Sequence, residues 1–253
     1  MDLSAPTYSL VAMAGFGAGF VDAIAGGGGL LSLPVLLSIG VPPHLALGTN
    51  KLQASMGTAI AAGNYARRGL LADSKLSWGI VCTAVGALAG AAIVTRLRSD
   101  WLVHVIPLLL GASFVYLMAS PRFGESARRA RLSIATFSIV LGLTLGFYDG
   151  FFGPGTGSFW TLAYVSILGF ALPQATASTK AMNLTSNVAA LAWFGARGQV
   201  AWSLGFAMGA ANVGGALVGS SLAIHSGARL IRRFLLLVVA ATIARLVWRS
   251  FRG

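Results

Sequence analysis

Acidic residues are nearly missing from this chain: Asp and Glu number 6 among 253 residues, and all charged types together make up 9%. An average soluble domain carries about 25%, so this scarcity excludes an ordinary soluble globular protein. Cysteine is scarcer still. The single Cys82 lies in an apolar run, which excludes an intrachain disulfide and a cysteine metal site and leaves a small core residue. His44, His104 and His225 sit near segment ends without ligand spacing, so no metal or other cofactor is expected. No Walker A loop, Ser-His-Asp order or HExxH motif occurs, so neither ATP-driven transport nor familiar hydrolytic chemistry has support. A membrane-embedded enzyme would need a nucleophile or a metal set that the chain does not offer.

What is present is hydrophobicity, at 56% of residues and a mean hydropathy of +0.79. Apolar stretches recur from end to end, the pattern of an all-α, polytopic membrane protein. The formal charge of +12 does not indicate nucleic-acid binding, because the basic residues sit between apolar runs instead of clustering on one polar face. They read as topology signals and contacts to lipid headgroups. The first basic residue is Lys51, so no cleaved signal peptide is expected.

Windows of about 20 apolar residues, enough to cross roughly 30 Å of hydrocarbon, fall near 7–31, 44–65, 76–95, 101–119, 133–152, 175–195, 201–223 and 231–248. Shorter apolar stretches at 30–39 and 159–170 follow glycine clusters and read as half-helices or re-entrant segments. The expectation is about eight transmembrane helices with two interruptions. Trp78, Trp101, Trp202 and Trp248 lie near predicted helix ends, as interfacial belts require.

The chain also matches itself. Gly19-Phe20-Val21-Asp22-Ala23 aligns with Gly146-Phe147-Tyr148-Asp149-Gly150 at an offset of 127, which carries Gly26 and Gly28 onto Gly153 and Gly155. Ala46-Leu47-Gly48-Thr49-Asn50-Lys51 aligns with Ala175-Thr176-Ala177-Ser178-Thr179-Lys180 at an offset of 129, and Arg68-Gly69 and Arg197-Gly198 keep that register. The expected organisation is one transmembrane domain over 1–253, with repeat one about 7–119, a charged linker 120–131 and repeat two about 132–253. Four crossings per repeat would give both the same orientation. A glycine-broken segment that turns back would make the crossing number odd and the repeats inverted, as in many secondary transporters. Counting basic residues in the loops of an eight-crossing chain gives eleven on one side and five on the other, which makes the richer side, with the C-terminus, cytoplasmic.

Six acids and three lysines then separate into two groups. Asp2, Asp73, Asp100, Glu125 and Lys75 lie in termini, loops or helix ends, whereas Asp22 and Asp149 and Lys51 and Lys180 fall inside apolar segments at equivalent repeat positions. An ionised side chain at the bilayer centre costs about 2.5–3.5 kcal/mol even on permissive scales. One explanation is a structural ion pair within each repeat, Asp22 with Lys51 and Asp149 with Lys180. The other is a transport site. Each Asp precedes a helix breaker, Gly26-Gly27-Gly28-Gly29 or Gly153-Pro154-Gly155-Thr156-Gly157. A helix restarting after such a break presents free N–H groups and a positive dipole end to an anion. Thr49, Asn50 and Gln53 in the first half, and Ser178, Thr179, Asn183 and Asn187 in the second, could complete that site or serve as interhelical hydrogen bonds. For Gly86/Gly90 and Gly215/Gly219 the small-xxx-small spacing predicts close helix packing.

The run Gly19-Phe20-Val21-Asp22-Ala23-Ile24-Ala25-Gly26-Gly27-Gly28-Gly29-Leu30, followed by Pro42-Pro43 and Leu47-Gly48-Thr49-Asn50-Lys51-Leu52-Gln53, resembles the sulfite exporter TauE/SafE family, also called the toluene sulfonate uptake permease family. Tyr148-Asp149-Gly150-Phe151-Phe152-Gly153-Pro154-Gly155-Thr156-Gly157-Ser158-Phe159, then Thr179-Lys180-Ala181-Met182-Asn183 and Ser186-Asn187, resembles its second signature. The resemblance covers residues 10–200 and implies a multi-pass permease of the bacterial inner membrane, with seven or eight transmembrane helices, for sulfite, thiosulfate or small organosulfonates. The expected mechanism is secondary transport through a site between the repeats. In it Lys51 and Lys180 supply positive charge, the loop amides of Gly26, Gly27, Gly28, Gly155 and Thr156 bind the anion, and Asp22 and Asp149 orient the lysines or carry a coupling proton. An anion channel using the same residues is the alternative. Expected partners are a small anion, membrane lipids, protons as coupling ion and a second copy of the chain in a homodimer.

Overall fold

A computed structural model describes residues 5–71, 77–119 and 130–226. Every described element is helical: α1 (Ala5–Ala25), α2 (Gly29–Ser38), α3 (Pro43–Arg67), α4 (Ser77–Val94), α5 (Ser99–Ala119), α6 (Ile134–Phe151), α7 (Thr156–Ser166), α8 (Leu172–Ala196) and α9 (Trp202–Ser226). The linker expected at 120–131 lies mostly outside the described residues, as do the apolar window 231–248 and many of the basic residues counted for topology.

Glycine and proline set the breaks. Gly26 and Gly153, at φ 74° and 100°, adopt left-handed conformations that a Cβ disfavours, and they end α1 and α6. Pro42-Pro43 and Pro173 fall at the starts of α3 and α8, where the missing N–H of proline is tolerated. Both helices are 25 residues long.

The short helices turn back. Leu31 of α2 lies beside Gly17 of α1, and Gly28 beside Ala18 and Asp22, so α2 runs antiparallel along α1. In the other half Phe159 of α7 reaches Tyr148 of α6, and Tyr164 reaches Phe137, which gives the same reversal. Helices α3 and α8 are antiparallel to each other: Lys51 meets Asn187, while Gly48, near the start of α3, abuts Phe194 near the end of α8 and Gln199 just beyond it. The helices that carry the two buried lysines therefore run in opposite senses.

Across the halves, α1 packs on α9 and α4 on α6. A Cβ on Gly86 or Gly90 would run into the backbone of α6, and one on Gly215 or Gly219 into that of α1, the close approach that their spacing predicts. Among the described residues, four helical segments are long and apolar enough to cross a membrane: Pro6–Ala25, Ser77–Val94, Ile134–Phe151 and Trp202–Ala223. The windows at 44–65 and 175–195 do not reach that apolarity, because α3 and α8 carry their polar side chains inward. Thr49, Asn50, Lys51, Gln53 and Thr58 are buried on one, and Ser178, Thr179, Lys180, Asn183 and Asn187 on the other. Such helices are sheltered by protein and need less apolar surface than a lipid-facing one.

Candidate functional site

Where α3 and α8 cross, the two glycine breaks meet. A Cβ on Gly26 would collide with Gly157, one on Gly157 would collide with Gly26 and stand 2.7 Å from Asn183 Nδ2, and Ser158 Oγ donates to Ala25 O at 2.6 Å. Only glycine lets the loops touch. Beside this contact lies a cavity of about 30 Å³, lined by Asp22, Gly26, Gly29, Asn50, Lys51, Ala54, Asp149, Gly153, Gly155, Thr156, Gly157, Asn183 and Asn187. That is room for a water or two and little more.

The buried charges pair between the halves. Lys51 Nζ donates to Asp149 Oδ1 at 2.6 Å and to Asn187 Oδ1 at 3.2 Å. Lys180 Nζ donates to the main-chain oxygen of Asp22 and lies 3.1 Å from its Oδ2. Pairing within each half, Asp22 with Lys51 and Asp149 with Lys180, is thus corrected: the antiparallel crossing of α3 and α8 brings each lysine to the other half's carboxylate. Charge is compensated locally, as burial requires.

Nine of the residues singled out from sequence line the cavity: Asp22, Gly26, Asn50, Lys51, Asp149, Gly155, Thr156, Asn183 and Asn187. Six do not. Gly27 and Gly28 form the turn into α2, accepting from Leu30 N at 3.0 Å and Leu31 N at 3.0 Å. Thr49 Oγ1 accepts from Ala201 N at 3.0 Å, which fixes the entry to α9. Gln53 donates to Asn50 Oδ1 at 2.8 Å and accepts from Asn212. Thr179 Oγ1 pairs with Thr161 Oγ1 at 3.1 Å, and Lys180 is buried beside Asp22, outside the lining.

Three supporting residues fall outside the expected ligand set, and two of them, Ser32 and Asn212, carry no mark in the local sequence. Ser32 Oγ donates to Asn50 Oδ1 at 2.5 Å, Ser186 Oγ donates to Asp149 Oδ2, and Asn212 donates to Gln53. With two donors on its Oδ1, Asn50 turns its amide N–H₂ away from Ser32 and Gln53; Asn187, whose Oδ1 receives Lys51, likewise keeps its N–H₂ for other acceptors. Among the described residues, Asn183 Oδ1 is buried with no hydrogen-bond partner. The N-terminal ends of α2 and α7 also reach the cavity, through Gly29 and through Gly155 to Gly157. Ammonium, amide and helix-end donors converge here, a set suited to oxygen-rich anions.

Known proteins similar to this chain are described as membrane transporters. The family model described as "Sulfite exporter TauE/SafE" matches residues 11–246. A "Probable membrane transporter protein" of Haemophilus influenzae is 40% identical over 98% of this chain and 97% of its own. The "Probable membrane transporter protein YfcA" of Escherichia coli K12 is 41% identical over 92% of this chain and 87% of its own, and the "Probable membrane transporter protein ORF9" of a Sinorhizobium species is 40% identical over 97% and 94%. No solved structure matches the chain.

Proposed function

The chain belongs to the sulfite exporter TauE/SafE family, as a multi-pass membrane transporter, and from that premise we propose that it moves a small sulfur-containing oxyanion across the bacterial cytoplasmic membrane. Sulfite, thiosulfate and small organosulfonates are the candidate substrates. The observation that carries this reading is the cavity at the meeting of the two glycine breaks, where Lys51, the amides of Asn50 and Asn187 and the ends of α2 and α7 converge. The site lies between the two halves of the chain. The opposite sense of α3 and α8 supports alternating access, since rocking one half against the other exposes the same site to either face.

Purified protein in proteoliposomes tests the reading through counterflow of radiolabelled sulfite. Saturable counterflow, competed by thiosulfate and methanesulfonate and lost in Lys51→Ala, is expected. Absence of saturable flux for every sulfur oxyanion in the panel rejects it. Flux that never exceeds equilibration under any ion gradient would favour the channel.

A further inference from the structure

A chain of buried side-chain hydrogen bonds runs from α9 to the cavity wall. Asn212 donates to Gln53 Oε1, Gln53 Nε2 donates to Asn50 Oδ1 at 2.8 Å, and Ser32 Oγ donates to that same oxygen at 2.5 Å. We propose that Asn212 and Gln53 are positioning residues, which fix the end of the Asn50 amide that faces the anion so that the wall presents N–H donors there. This rests on the anion-transport reading above and adds how one of its binding groups is oriented.

Each link has a direction, because an amide offers an acceptor at one end and donors at the other. A Cβ on Gly19 or Gly57 would collide with Asn212 Oδ1, so that oxygen fills the room the two glycines leave and the N–H₂ end faces Gln53. With its own oxygen taken by Asn212, Gln53 turns its N–H₂ to Asn50. Both lone pairs of Asn50 Oδ1 are then filled, by Gln53 and Ser32, and its N–H₂ is what remains for the cavity that Asn50 lines. Gln53 and Asn212 do not line that cavity, so any influence on the anion passes through Asn50.

The other half shows what the same crossing needs for packing alone. The offset of 129 that equates Lys51 with Lys180 also sets Asn50 against Thr179, Gln53 against Met182 and Asn212 against Thr83. The matching contacts are present: Thr83 Oγ1 donates to Met182 Sδ at 3.4 Å, and Thr179 pairs with Thr161 at 3.1 Å as Asn50 does with Ser32. A thioether accepts weakly and donates nothing, so this second chain stops at Met182. Thr179, at its end, does not line the cavity.

Cost explains why the difference matters. Asn50, Gln53 and Asn212 are all buried, and a buried amide is unfavourable unless it is hydrogen-bonded. Since α4 meets α8 through a threonine and a methionine, packing α9 on α3 does not by itself call for two amides. Aiming the amide of Asn50 does, because only a group that accepts on one side and donates on the other can pass the orientation along.

Calorimetry on the full-length protein with methanesulfonate, sulfite and thiosulfate tests this. Gln53→Met copies the other half into this one, and Asn212→Val removes the first donor. Each is expected to weaken binding about tenfold, the size of one hydrogen bond to a charged group, and Asn50→Ala by a similar factor. The decisive measurement is the double-mutant cycle: once Asn50 is alanine, neither Gln53→Met nor Asn212→Val is expected to weaken binding further. Equal weakening with and without Asn50 points to a merely structural role and overturns the proposal, as does unchanged binding in the single variants. A second readout needs no anion. In protein with isotope-labelled asparagine, the Asn50 side-chain amide resonance, identified by its loss in Asn50→Ala, is expected to shift in Asn212→Val, and a resonance that stays in place also overturns the proposal. Where Asn212→Val does not fold, Gln53→Met supplies both readouts. Failure of the parent reading looks different: wild type then binds none of the three anions, while the Asn50 resonance still decides whether Asn212 sets its orientation.

Discussion

The Lys51–Asp149 and Lys180–Asp22 pairs are built from the same two residue types at matching positions, yet one is sealed and the other is half open. Lys51–Asp149 has a short contact, a hydroxyl on the second carboxylate oxygen and an amide on the lysine. Lys180–Asp22 has a longer contact, and its lysine leans on a backbone carbonyl at the end of α1. Equivalent residues thus acquire different chemistry from their neighbours. A buried charge is governed by what else it touches, and here Ser186 and Asn187 stand where the first half has Gly57 and Thr58.

The strongest way to break the comparison is to remove each lysine. Lys51→Ala strands Asp149 in a dry site, and losing one member of a buried pair costs about 3–5 kcal/mol. Lys180→Ala leaves Asp22 some access to solvent, and about 1–3 kcal/mol is expected. Unfolding in detergent or bicelles measures both, and a larger loss for Lys180→Ala would reverse the ranking of the two sites. Next comes the contact between the glycine breaks. Gly157→Ala drives a methyl into Gly26 and should cost about 1–3 kcal/mol through overpacking, with loss of flux. Gly63→Ala, whose added Cβ meets nothing within 4 Å, should cost nothing.

Double-mutant cycles sharpen the pairing itself. Contacting partners couple by about 0.5–3 kcal/mol, so Lys51 with Asp149 and Lys180 with Asp22 should couple. Lys180 with Asp149, which share neither a contact nor the cavity wall, should add to within about 0.5 kcal/mol, whereas Lys51 with Asp22, which share the cavity, should couple more weakly than either contacting pair. The smallest expected effect separates a support from the cavity wall. Thr49→Val removes a single hydrogen bond to Ala201, worth about 1 kcal/mol, and should leave the KM for the anion where it was. Asn50→Ala, which opens the cavity wall, should raise it.

Much of this site is legible in one dimension. Glycine breaks, buried charges and small-residue stripes are local patterns with local causes, so Gly86 and Gly215 could be read as packing positions and Asp22 as an intramembrane acid. Hydropathy misjudges α3 and α8, because apolarity records contact with lipid, whereas these helices are covered by their neighbours. Thr49, Gln53 and Thr179 look no different from Asn50 in sequence; only the packing of α9 and α7 turns them into supports. Ser32 and Asn212 are inconspicuous because their importance lies in what faces them.

The chain by itself determined that two acids and two lysines would sit among apolar segments beside glycine breaks, because the cost of burying charge attaches to residue type. Which acid each lysine meets was decided only by the fold. The partners lie 98 and 158 residues apart, and an ion pair acts over a few ångströms, so the pairing waits on the antiparallel crossing of α3 and α8. The same crossing, together with a serine in one half and a glycine in the other, makes two equivalent carboxylates unequal.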